Sequence, residues 1–238
     1  ENRIQYNFNN DDTNLNIYAS VYEDLRQKKN SDKYEYMLPN ITYGKTFFTE
    51  NFGTLNVQSN AFYSNYETNK HKTFLTNDII WSPASHITKK GFINTLEGML
   101  RNTNYEVKKT TDYKNESTVN EISGVLSYKT ALPMKKDGIN YSNLFAPKFM
   151  LRFAPGHMRD LKGKDVSLNY TNLYSLNKTS EIEDGLSAVL GFDFKINEKD
   201  NNEEKLSVSL GQIFNYEKNK DIPSKSSLDQ KMSDVVGE

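Results

Sequence analysis

The sequence predicts an all-β protein: an antiparallel transmembrane β-barrel of outer-membrane type, of which this chain is a part. Two runs late in the chain carry the prediction. In the first, Leu186, Ala188, Leu190, Phe192, Phe194 and Ile196 alternate with Ser187, Gly191, Asp193 and Lys195. In the second, Leu206, Val208, Leu210, Phe214 and Tyr216 alternate with Ser207, Ser209, Gly211 and Asn215. Strict period-2 alternation describes strands with one apolar and one polar face, and the polar connection NEKDNNEEK between them makes a hairpin. Each run is long enough for a tilted membrane strand, which takes roughly 9–11 residues, where strands of soluble sheets take about 5–6. No segment approaches the ~20 consecutive apolar residues of a transmembrane helix.

The same test from the start of the chain places strands near residues 2–8, 15–22, 34–43, 54–66 and 73–81. It continues with 92–104, 119–128, 147–153, 186–196 and 206–216. That makes about ten strands and no convincing helix. Connections rich in Asn, Asp, Lys, Gly and Pro punctuate them. Pro39 and Pro133 fall in or beside strands, where proline marks an edge, a start or a bulge. With no linker or shift in composition, the chain reads as one domain over residues 1–238.

Barrels of this type alternate short periplasmic turns with longer outer loops. Starting with NNDDTN as a periplasmic turn, the count puts residues 157–184 in a long outer loop. That holds only if the strand-like stretch VSLNYTNLY, residues 166–174, stays out of the barrel wall.

The composition narrows function by exclusion. Hydrophobic residues make up 36% of the chain and the mean hydropathy is -0.77. That is low even for a barrel, whose polar lumen-facing residues dilute the signal. A formal net charge of -1 with both signs interspersed lacks the basic footprint of a nucleic-acid binder. Cysteine is absent, so thiolate metal sites, a cysteine nucleophile and disulfides are excluded within the chain. His71, His86 and His157 lie apart and read as solvated loop histidines, and no phosphate loop, nucleophile elbow or HExxH occurs. Paired acids, among them Asp11–Asp12, Glu203–Glu204 and Glu181/Glu183/Asp184, read as solvated turns. No catalytic, metal or cofactor site emerges. Asn115 and Asn177 begin glycosylation-type sequons that arise by chance in an Asn-rich chain. Tyr22, Tyr43, Tyr66, Trp81, Tyr105, Tyr128 and Tyr216, at strand ends, are candidates for the aromatic girdles of a barrel. Strand propensity alone is an equal explanation.

Several phrases occur in order: LFAPKFMLRFAPG, NLYSLNKTSEIEDGLSAVLGFDF, LSVSLGQIFNYE and KMSDVVGE in the second half. YEYMLPNITYGK, FGTLNVQSNAFYSNYETN and the strand-turn-strand phrase of residues 79–101 stand in the first. This succession resembles the β-barrel domain of the LptD family, the lipopolysaccharide-assembly or organic solvent tolerance proteins. The resemblance implies an internal portion of a larger barrel in the cell outer membrane, with the family's N-terminal jelly-roll and gate strands outside the chain. It implies a translocon, not an enzyme, that inserts lipopolysaccharide into the outer leaflet. The implied partners are an LptE-type plug lipoprotein, an LptA-type periplasmic bridge and outer-membrane lipid. It also places a long outer loop at residues 157–184. The chain departs from those relatives in which cysteines bridge the soluble domain to the barrel.

On this reading Leu190, Phe192, Phe194, Leu206, Val208 and Leu210 contact lipid. Asp193, Lys195, Ser207, Ser209 and Asn215 face the lumen as candidates for plug or glycolipid contact. A porin-like channel shares every periodicity above. A soluble β-rich surface or adhesin protein is the further alternative, favoured by the low hydropathy.

Overall fold

The computed structural model describes residues 1–25, 33–50, 52–66, 70–109, 118–156, 159–201 and 203–238. Its strands are β1 (Asn2–Asn9), β2 (Thr13–Glu23), β3 (Tyr34–Thr49), β4 (Gly53–Tyr66), β5 (Lys70–Ser82), β6 (His86–Ile87) and β7 (Ile93–Lys108). There follow β8 (Val119–Ala131), β9 (Met134–Asp137), β10 (Tyr141–Ala154), a four-residue helix α1 (Tyr170–Leu173), β11 (Gly185–Glu198), β12 (Glu204–Asn215) and β13 (Val236–Gly237). Among the described residues all thirteen strands belong to one sheet, and neighbours follow chain order except that β5 is followed by β7 and β8 by β10, the short β6 and β9 pairing with β7 and β10 off this path. Each of the ten strands expected from alternation has a counterpart. Among the described residues no helix is long and apolar enough to cross a membrane.

The residues fall into two compact units, one of Glu1–Trp81 with Leu100–Ile122 and one of Ser82–Met99 with Ser123–Glu238. In the first, β1 to β4 pair antiparallel in register, with Phe8 opposite Leu15 and Phe47 opposite Leu55. Strand β3 runs past its expected end at Tyr43 because its FFT segment finds partners on β4. Pro39 marks an irregularity, as expected. The ladders on both sides of β3 shift register there, between Tyr18 and Ser20 and between Met37 and Asn40. A proline without an N–H cannot donate to a ladder.

Across β4, β5 and β7, Phe62, Phe74 and Tyr105 stack with centroids 5.2 and 5.3 Å apart. Beside this stack, Arg101 Nε and Nη2 donate to the two oxygens of Asp78 at 2.7 and 2.8 Å. Tyr105 therefore corrects the girdle expectation. It is 3% exposed and donates its hydroxyl to Glu121 at 3.0 Å. His71 lies within β5 and stacks on Tyr63, so it is not a loop residue. His86 is exposed as expected but lies in the two-residue strand β6, not in a loop; His157 and Asn115 lie outside the described residues.

In the second unit β10 begins at Tyr141, upstream of the expected Pro147. Its partner changes along its length, from β9 at Ser142–Phe145 to β8 from Lys148 onward. Pro147 sits at that change, so its missing donor falls where the ladder is broken anyway. Its carbonyl accepts the Leu132 N–H at 3.1 Å. Strands β11 and β12 pair from Ser187–Asn215 to Asn197–Glu204 with one bulge near Ile196. The stretch 166–174 is irregular up to Asn169 and helical at Tyr170–Leu173, so it adds no strand.

Candidate functional site

Register on β10, β11 and β12 sorts the side chains into two faces. Opposite partners Val189 and Ile213, Gly191 and Gly211, Asp193 and Ser209, and Lys195 and Ser207 share one face. On β10, Met150 and Lys148 stand opposite Val189 and Gly191. The other face carries Leu190, Phe192, Phe194, Leu206, Val208 and Leu210. It is bare: Leu190 is 51% exposed, whereas Val189 next to it is fully buried.

The chain's own connections cover the first face. From the β10–β11 connection come Leu161 and Leu173, and from the segment after β12 come Ile222 and Leu228. They bury themselves against Met150, Val189 and Ile213. Apolar residues on a face expected to be polar explain why these connections fold onto the sheet, since each large side chain so buried contributes roughly 1.5–3 kcal/mol. Helix α1 starts at a capping box in which Asn169 Oδ1 accepts the Asn172 N–H and Asn172 Oδ1 accepts the Asn169 N–H, both at 3.0 Å. After β12 the chain turns back along the strand, with Ser233 N–H on the Ile213 carbonyl at 3.0 Å and β13 pairing at Leu210 and Gly211.

Two polar clusters fasten the cover. At one, Arg152 projects from β10, nearly sealed from solvent; its Nε donates to the Leu176 carbonyl at 2.6 Å and its Nη2 to Asn177 Oδ1 at 3.3 Å. Glu183 Oε2 lies 3.8 Å from Arg152 Nη2 and 4.0 Å from Lys178 Nζ, while its Oε1 accepts the Lys178 N–H at 2.6 Å. Burial pulls the Lys178 ammonium down to about 8 against the opposing pull of Glu183, with Arg152 and Lys129 adding to the lowering. A polar cavity of about 370 Å³ opens beside them, lined among others by Ser187, Asn215 and Asn219.

At the other cluster the Asp193 carboxylate takes the Tyr170 hydroxyl on one oxygen and pairs with Lys148 through the other. Lys148 Nζ lies 5.7 and 5.5 Å from the ring centres of Tyr170 and Tyr174, within reach of a cation–π attraction. Burial pushes the Tyr174 phenol well above its ordinary range, with the charges of Tyr170 and Asp193 adding to it.

The residues expected to line a wet interior thus lie on one face but differ in state. Ser209 is 4% exposed. Asn215 gives its amide to the carbonyls of Leu228 and Gln230 at 3.1 and 2.7 Å. Lys195 is held by Glu204 at 2.7 Å, and Ser207 stays exposed. The acids Glu181, Glu183 and Asp184, expected in a solvated turn, are corrected in part. Glu183 is buried because Arg152 compensates its charge, Glu181 meets Arg159 at 3.2 Å and Asp184 accepts from Asn219 at 2.7 Å. Missed from the sequence were Lys148, Arg152, Tyr170, Tyr174 and Lys178. An arginine inside the apolar run KFMLRFA was the signal for one of them. Among the described residues no group of three His, Asp or Glu could hold a metal ion.

Long antiparallel strands with a bare apolar face backed by a polar, covered one define an outer-membrane β-barrel protein. The family is specific: the chain belongs to LptD, described as LPS transport system D, whose model matches residues 1–238. Its work is lipopolysaccharide transport in outer-membrane assembly, and its place is the outer membrane. No curated protein matches the chain.

Proposed function

We propose that residues 1–238 form an internal stretch of the barrel wall of a translocon that inserts lipopolysaccharide into the outer leaflet, making and breaking no bond. The family match over the whole chain carries this reading. In it the bare face meets membrane lipid through Leu190, Phe192, Phe194, Leu206, Val208 and Leu210. An apolar groove of about 580 Å³ on this part of the sheet, lined by Pro147, Phe149, Leu190, Phe192, Leu210 and Phe214 among others, suits acyl chains. Asp193, Lys195, Ser207, Ser209 and Asn215 lie on the interior side. Lys195 and Ser207 stay open there, where a phosphorylated sugar head group stays hydrated while its acyl chains leave sideways, and Asp193, Ser209 and Asn215 lie under the chain's own connections. An LptE-type lipoprotein plugs the barrel and an LptA-type bridge feeds it.

Depletion of the full-length protein tests the reading. Lipopolysaccharide should vanish from the cell surface and accumulate at the inner membrane, whereas loss of a porin-like channel leaves surface lipopolysaccharide intact. Unchanged surface lipopolysaccharide after complete depletion, in an organism that makes it, overturns the assignment.

A further inference from the structure

The polar wall groups around Asp193 are not open to an incoming ligand; the chain's own helix fills their place. We propose that residues 159–184 are a self-docking gate, latched by seating Tyr170, Leu173 and Tyr174 in a socket of Lys148, Asp193, Gly191 and Gly211. The wall groups become available only when α1 leaves.

Helix α1 has four residues, too few to persist by its own hydrogen bonds, so its shape depends on what it docks against. The socket fits it through missing side chains. Gly191 and Gly211 stand opposite each other on β11 and β12. A Cβ on Gly211 would strike Leu173 and lie 3.4 Å from the Tyr174 hydroxyl; one on Gly191 would strike that hydroxyl and the Leu210 carbonyl. The two rings then flank Lys148, and Tyr170 completes Asp193.

The seat is also incomplete. The Tyr174 hydroxyl is buried with no hydrogen-bond partner among the described residues, an unmet donor that weakens the docked state relative to its contacts. What enters after opening rests on the lipopolysaccharide reading above, but the docking itself does not.

The test uses the purified full-length protein with Ser209→Cys as a reporter, since Ser209 is nearly sealed beneath α1 while Ser207, on the same face, is exposed. Maleimide should label Ser207→Cys at least tenfold faster than Ser209→Cys. Adding Tyr170→Phe or Gly211→Ala should raise the Ser209→Cys rate tenfold and leave the Ser207→Cys rate unchanged. Gly211→Ala is chosen over Gly191→Ala because its first collision is with the end of the Leu173 side chain, not with backbone. Equal rates at the two reporters in the parent, or a Ser209→Cys rate indifferent to both substitutions, overturns the gate. If the variants do not fold, amide exchange in the unmodified protein decides. Protection of residues 160–176 that is lost in an opening separate from unfolding of β11 and β12 supports the gate, and loss only together with those strands overturns it. Because no lipopolysaccharide is present, failure here leaves the depletion experiment untouched.

Discussion

The Arg152 guanidinium and the Glu183 carboxylate, both nearly sealed from solvent, face each other at 3.8 Å across the seam between β10 and the connection that covers it. Neither charge is tolerable there alone. The strand supplies one and the loop the other, so the pair makes docking of the loop a condition for burying either.

Arg152→Met should therefore be costly, because it leaves Glu183 without its strand partner and the Leu176 carbonyl without its donor. Breaking a buried ion pair from one side typically costs about 3–5 kcal/mol, whereas replacing both partners is often near neutral. Adding Glu183→Gln to Arg152→Met should recover part of the loss. Denaturant unfolding of the four members of this cycle in the full-length protein measures the coupling, and strictly additive losses would refute it.

The two faces of β12 make an asymmetric prediction. Val208→Arg should be poorly tolerated, since a cation on the lipid side near the midplane costs roughly 2–4 kcal/mol. Ser207→Arg, on the opposite face and exposed, should assemble almost normally. Ser209 does not serve as that control, because its hydroxyl lies opposite Asp193 beneath the docked helix. The heat-dependent gel shift of folded barrels reports assembly yield, and equal yields for Val208→Arg and Ser207→Arg would reverse the assignment of faces.

Lys178 makes the covering loop sensitive to pH. Its ammonium titrates at about 8 in the folded protein because burial disfavours the charge, and near 10.4 when unfolded. Between those values the unfolded chain binds more protons than the native one, so stability rises with pH through this window; below about 8 both states hold the proton and the contribution is flat. Lys178→Met should remove that rise. The unfolding midpoint measured at several pH values for parent and variant checks the sign, and a midpoint that falls across the window for Lys178 alone would contradict it.

How much was legible in the sequence differs between wall and cover. Alternation over residues 186–196 and 206–216 was enough for the strands, their pairing and the split of Asp193 and Ser209 from Leu190 and Leu210. A side-chain period of 2 is a local property that any strand must obey. The irregularity at Pro39 was legible for the same reason, since a missing N–H acts where it stands.

Only the tertiary structure decided the rest. Residues 166–174 alternate like a strand, yet they form no ladder, because Leu173 has an apolar partner surface in Met150, Val189 and Ile213. Glu183 reads as one acid among several in a turn, and its burial depends on Arg152, distant in sequence and supplied by another strand. Ser209 and Asn215 alternate as wall residues should, but whether they meet solvent depends on loops folding back over them. Local periodicity determines which way a side chain points. What it meets there is set by segments far along the chain, whose return is favoured by burial and charge pairing and leaves no periodic trace.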